Sequence, residues 1–323
     1  QTNLPKKLLS LGIPTYKRPE YAVRLIKKAI SMNIYDEIIV SSNSKEEILT
    51  DFVNSKESCS KVKFFQQKEN VGLALNYLKL IELCDSEYLH ILSDEDLPNE
   101  KNIQKLYEKL ASIDSRSIII TSVANKDGSL YKDASWQHND SLKDLLGETA
   151  HIGSCLINNA MMEIPEMKAL SEYCKREGSV YVGPAAALIA YSIGNNLLYF
   201  SPATVEMGEL HDVREISGYQ VYGFKPRLDQ YLNLFILWKT LKLRNKFTIY
   251  FYMLFYFSHH ALHNAKGKFN ESPTEVFLNF IKYNKPPFSS LSALFALYVG
   301  FYIFHIYFIS RSSLSRLLKG MKS

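Results

Sequence analysis

Two carboxylates one residue apart, Asp94 and Asp96, follow the apolar run "YLHILS" and stand just before Pro98. In extended chain the side chains alternate with a period of two, so this pair projects to one side while Glu95 points away. Like charges held so close repel unless something offsets them. A shared divalent cation would do so, and hard oxygen ligands suit Mg2+ or Mn2+, which ordinarily complete their shells with substrate phosphate oxygens. The plainer alternative is an acidic, solvated turn in which Asp96 or Asn99 caps the next helix.

The elements that must position these carboxylates can be read from hydrophobic periodicity. "KLLSLGI" predicts a first strand, and "EYAVRLIKKAISM" a helix with Tyr21, Leu25 and Ala29 on one face. "DEIIVSS", "KVKFFQQ", the run ending at Ser93 and "RSIIITSV" predict further strands, with helices starting near Ser44, within "NVGLALNYLKLIELC" and from about Asn99. Strands alternating with helices predict an α/β fold, a Rossmann-like, mostly parallel sheet covered by helices on both faces. Such sheets bind ligands beyond the carboxyl ends of their strands. Thr15 with Lys17 and Arg18, Ser42 with Asn43, Asn70, and Asp94 with Asp96 each follow a predicted strand, so all should gather along one edge. No Gly-x-Gly-x-x-Gly and no Gly-Lys-Ser occurs there, which excludes a dinucleotide fingerprint and a P-loop.

In its 323 residues, 46% apolar and 22% charged, the chain is globular rather than disordered. Its four cysteines form no Cys-x-x-Cys pair, so neither a zinc site nor a disulfide framework is expected. "QTNLPKKLLS" has no apolar core followed by small residues, so no secretory leader is expected. The net charge of +5 is scattered, with no basic run set in a nucleic-acid motif, so nucleic acid is not expected as a partner.

The order "LGIPTYKRP", "DEIIVSSNS", "ENVGLALN" and "LHILSDEDLP" resembles the GT-A glycosyltransferases, most closely the bacterial family 2 type that builds O-antigen, capsule or lipopolysaccharide. "HIGSCLINNAMM" and the segment around "GPAAALIAYSIG" continue the likeness more weakly. The resemblance implies transfer of a sugar from a nucleotide-diphosphate donor, assisted by Mn2+ or Mg2+. It places Pro14, Thr15 and Tyr16 at the nucleotide base, Arg18 near the phosphates, and Asn70 and Gly72 under the nucleotide. Asp94 would face ribose or metal and Asp96 the metal, with His211 reaching the diphosphate or the metal and Arg214 neutralising a phosphate. Asn43 stands where the family usually has an acid for the base, and it can donate or accept hydrogen bonds. The acidic pair that commonly precedes the acceptor-side helix is replaced by "REGSVYVGPAAA". The candidates for catalytic base are therefore Glu177, Glu206 and His211. Two rivals are a sugar-phosphate nucleotidyltransferase, for which "GIPTYKRP" lacks the Gly-rich loop, and an inactive chain that keeps the fold for assembly.

The expected organisation is a nucleotide-sugar half over 1–125, an acceptor half over 126–225, and a helical, aromatic-rich region over 226–323. Residues 291–309, "LSALFALYVGFYIFHIYFI", carry no Asp, Glu, Lys or Arg, and the tail beyond them holds Arg311, Arg316, Lys319 and Lys322. A span needs about 20 apolar residues, so this stretch is at the threshold. A single crossing would put the basic tail and the catalytic half on opposite sides. A helix lying in the interface satisfies both, which predicts a peripheral enzyme on the cytoplasmic face of the inner membrane with a lipid-linked or polysaccharide acceptor. A buried helix packed in a homo-oligomer is the alternative.

Overall fold

The computed structural model describes residues 7–208, apart from 59, 114–116, 133, 135–150, 178–179 and 194–196. The chain opens with strand β1 (Leu9–Thr15), every residue of which is buried. Pro19 then starts helix α1 (Pro19–Met32), where its fixed φ suits the first helical position and its missing N–H costs nothing. The buried face of α1 is Ala22, Leu25, Ile26, Ala29 and Met32, with Tyr21 only half-buried at its margin. Asn33, in the left-handed region at φ 51°, ends the helix. Strand β2 (Glu37–Ser42), helix α2 (Glu47–Asn54), strand β3 (Val62–Gln66), helix α3 (Gly72–Leu83) and strand β4 (Tyr88–Ile91) complete the alternating portion. Strands β3, β2, β1 and β4 lie side by side and all run parallel.

Beyond β4 the sheet departs from the mostly parallel expectation and becomes mixed. After the short β5 (Leu97–Pro98) and helix α4 (Glu100–Leu110), strand β6 (Ile118–Ala124) turns back through Asn125–Ser129 into β7 (Leu130–Lys132), an antiparallel hairpin. A tight turn of this kind allows only an antiparallel partner, whereas a parallel one needs a crossover helix. Strand β8 (Cys155–Asn158) enters between β4 and β6 antiparallel to both, and β9 (Leu197–Glu206) runs parallel to β6. The sheet order is therefore β3-β2-β1-β4-β8-β6-β9-β5, with β7 on β6. Helices α5 (Pro165–Glu177) and α6 (Val182–Ser192) follow β8. The apolar "VGPAAALIA" of α6 is buried almost throughout, with only Gly183 half-buried, as a helix without a polar face must be.

Among the described residues no helix is long and apolar enough to cross a membrane. Residues 226–323, including 291–309, lie outside the described residues.

Candidate active site

The acidic run does not continue β4 as extended chain. Strand β4 stops at Ile91, and the Asp96 N–H donates to the Ser93 carbonyl at 3.0 Å, closing a tight turn over Ser93–Asp96. The period-two argument for a shared direction therefore fails, and tertiary partners set where each carboxylate points. Thr15, at the end of β1, donates its Oγ1–H to Asp94 Oδ2 at 2.7 Å. Arg18, just before α1, brings Nη2 to 2.5 Å from Asp94 Oδ1, and its Nη1 meets Glu95 Oε2. Arg24 donates to the Glu95 carbonyl at 2.6 Å. Arg18 is thus a built-in cation that offsets the repulsion within the run.

Asp96 faces the other half of the sheet. Its Oδ1 accepts from the Gly208 N–H at 2.9 Å, and His151 Nε2 lies 3.3 Å from Oδ2. Both aspartates are essentially without solvent exposure, at 0% and 1%. Burial pushes both carboxyls up to about 7, against the pull of Arg18 and Thr15 on Asp94 and of the Gly208 N–H on Asp96. Asp94 Oδ1 and Asp96 Oδ2 make no hydrogen bond among the described residues, although Arg18 Nη2 and His151 Nε2 lie close to them. Two buried carboxylates with unsatisfied oxygens suit one hard cation whose remaining ligands come from phosphate and water. No group of three or more His, Cys, Asp or Glu side chains is placed to hold a metal among the described residues.

The second cluster lies along the ends of β1, β2 and α3. The Asn43 N–H donates to the Thr15 carbonyl at 2.9 Å, joining the two strand ends. Asn43 Nδ2 donates to the Gly72 carbonyl at 3.2 Å, which leaves its buried Oδ1 without a donor. Asn70 Oδ1 accepts from the Gly72 N–H at 3.0 Å, and Gly72 adopts φ +81°, a conformation that L side chains rarely take. Pro14 sits in register with Ser41, and the Lys17 ammonium lies 5.3 Å over the Tyr16 ring. The four groups that each follow a strand do gather on one edge.

Residues 10–173 match Glycosyl transferase family 2. The chain belongs to that family. It is a glycosyltransferase, and its curled, mixed sheet is the GT-A α/β fold. The crystal structure of S. aureus TarS 1–349 superposes with a TM-score of 0.59 at 12% identity, covering 94% of this chain and 89% of that one. The complex of the same fragment with UDP-GlcNAc gives 0.59 at 12% identity, and that with UDP gives 0.57 at 11%, each covering 94% of this chain and 89% of the other. Identities so low show likeness of fold alone. No curated protein sequence matches the chain.

Two of the candidates for the glycosyltransferase's base, Glu177 and Glu206, stand on separate elements. Glu206 ends β9, exposed, and accepts from Asn99 Nδ2 at 2.7 Å. Glu177 closes α5, and the direction of its side chain is not described. His211 and Arg214 lie outside the described residues. Capping of α4 falls to Asn99, whose side chain accepts from the Asn102 N–H at 3.1 Å, so the aspartates are spared that task.

Three residues of the cluster escape a reading of the sequence. Glu95, expected to point away, is held by Arg18. Gly208 has no room for a side chain, since an added Cβ would lie 1.9 Å from the Glu95 carbonyl oxygen. His151 sits far along the chain, and its Nδ1 accepts from the Gly153 N–H at 3.2 Å. In the neutral ring that places the proton on Nε2, facing Asp96. With Nδ1 already accepting, the neutral His151 ring has no lone pair left to act as a base. The Gly153 carbonyl is fixed in turn by buried His90, Nε2 to oxygen 3.0 Å, and His90 Nδ1 by the Tyr35 hydroxyl at 3.2 Å.

Proposed function

We propose that this glycosyltransferase moves a sugar from a UDP-activated donor to a glycan acceptor, with Mn2+ or Mg2+ assisting, at the inner face of a bacterial membrane. The observation that carries this reading is the buried Asp94–Asp96 turn at the edge where Thr15, Asn43, Asn70 and Gly72 meet. Asn43 Oδ1 is a buried acceptor lacking a donor, and the N3–H of uracil supplies one. The complexes of TarS with UDP and UDP-GlcNAc agree with that choice of nucleotide.

Asp94 and Asp96 would hold the cation, whose charge would offset the negative charge that develops on the departing phosphate oxygen. Arg18 stands beside the same carboxylates and orients Asp94 and Glu95. Gly208 and His151 fix Asp96 from the opposite side. In the transfer, an acceptor hydroxyl oxygen bonds to the anomeric carbon, and the bond from that carbon to the phosphate oxygen breaks. UDP leaves with the electron pair, and the hydroxyl proton passes to a base.

The membrane part of the reading rests on the sequence beyond residue 226. Its aromatic runs and the cations Arg311, Arg316, Lys319 and Lys322 suit an interfacial helix on anionic lipid, where a lipid-linked acceptor for surface polysaccharide would reside.

Melting temperature measured against UDP, GDP, CDP and dTDP, each with and without Mn2+, tests the donor site in wild type and Asp96→Ala. A ligand at 100 times its Kd stabilises by about 2.7 kcal/mol. UDP should raise the melting temperature of the wild type only with Mn2+, and Asp96→Ala should abolish the rise. A folded wild type that responds to no nucleotide would sink the reading.

A further inference from the structure

One aromatic ring is both exposed and linked to the carboxylate turn. Tyr131 lies in β7, 49% exposed, beside Leu130 at 50%. The Tyr131 ring meets the His151 ring edge-on, with centroids 6.0 Å apart and planes at 72°. His151 in turn holds Nε2 3.3 Å from Asp96 Oδ2. From the core outward the order is carboxylate, imidazole, phenol.

The position along the sheet separates this ring from the nucleotide base. Asn43 follows β2, and Tyr131 lies in β7, which pairs with β6 on the edge that β8 also uses because β9 holds the other, so β1 and β4 lie between them across the sheet. At about 4.8 Å per strand the two are roughly 14 Å apart across the sheet. A base held at Asn43 therefore leaves Tyr131 for another part of the reaction, on the acceptor side of Asp96. The chemistry that suits an exposed phenol ring beside polar groups is a sugar. A pyranose has one face of C–H bonds, slightly positive, which packs on the negative π face of an aromatic ring, while its hydroxyls stay wet.

We infer that Tyr131, braced by His151, is the platform on which an acceptor pyranose stacks, its attacking hydroxyl turned toward the Asp96 side of the cluster. This rests on the transferase reading above. Stacking fixes the plane of the acceptor and leaves its hydroxyls to choose the linkage, so Tyr131 governs acceptor affinity and not donor binding.

Saturation-transfer NMR on the full chain, with the methyl pyranosides of glucose, galactose, mannose and N-acetylglucosamine as probes, tests this. The wild type should pass saturation to the C–H face of at least one glycoside. Tyr131→Ala should cut that signal at least tenfold, Tyr131→Phe should keep it, and the UDP-dependent melting shift should be the same in all three. The platform is overturned if no glycoside receives saturation from the wild type, if Tyr131→Ala retains the signal, or if Tyr131→Phe loses it as Ala does. Donor and acceptor readouts fail separately: UDP binding without a glycoside signal rejects the platform and spares the transferase reading. A Tyr131-dependent glycoside signal without any UDP response does the reverse.

Discussion

Buried acids carry a sign that can be measured. Asp94 and Asp96, raised to about 7 from 3.8, keep protons in the folded protein that the unfolded chain has already released. Their contribution to stability is full below 3.8 and is lost as pH rises through 7. A bound cation removes that loss and expels the protons. The Mn2+-induced rise in melting temperature with UDP present should accordingly be larger at pH 8 than at pH 6; an equal rise at both would show that the carboxyls already ionise without metal. Asn43 makes a second case. Replacing it with Ala removes the acceptor offered to the base, and a lost hydrogen bond of about 1 kcal/mol weakens UDP roughly fivefold by calorimetry. Gly208→Ala forces a methyl onto the Glu95 carbonyl oxygen and should lower stability to urea by about 1–3 kcal/mol, while abolishing the nucleotide-dependent melting shift. Retention of that shift would mean that the Asp96 contact to Gly208 is dispensable.

Among the elements, those with strong periodicity were legible from residue types alone. β1, β2, β3, α1, α3 and β6 lie where apolar alternation or helical spacing puts them, because burial of one face is what both patterns encode. The pairing partners of β8 and β9 were not, since nothing within a short apolar strand states which neighbour it meets or in which direction. For the same reason the place of Asp94 at the sheet edge was legible and that of His151 was not: the former follows a strand of the predicted parallel set, while the latter arrives on a 3-10 turn held by His90. That support predicts a pH effect. Burial pulls His90 down to about 4 from 6.5, so the unfolded chain gains its proton first as the solution acidifies. Stability from this group is full above 6.5 and falls as pH drops toward 4, by about 3 kcal/mol in all. Urea denaturation of wild type and His90→Gln should show the difference between them shrinking by that order from pH 7 to pH 4.

For the molecule as a whole, the proposed membrane attachment predicts salt-sensitive binding. The full chain should sediment with phosphatidylglycerol vesicles more than with phosphatidylcholine vesicles, and at about 1 kcal/mol per cation the change of Arg311, Arg316, Lys319 and Lys322 to Gln should release it. Equal binding to neutral vesicles would mean that the aromatic runs alone hold it. The hydrogen bond from Gly208 to Asp96 reaches across 112 positions of chain, and β5 pairs with the last residues of β9 over a similar distance. Closing so long a loop is slow and comes after the local β-α units have formed. On a ribosome, the parallel strands can assemble while Gly208 is still unmade, yet the carboxylate turn lacks its clasp until that residue emerges. Refolding from urea should repeat this order, with helical signal returning first and nucleotide binding later, so that the enzyme's competence is the last thing its own chain builds.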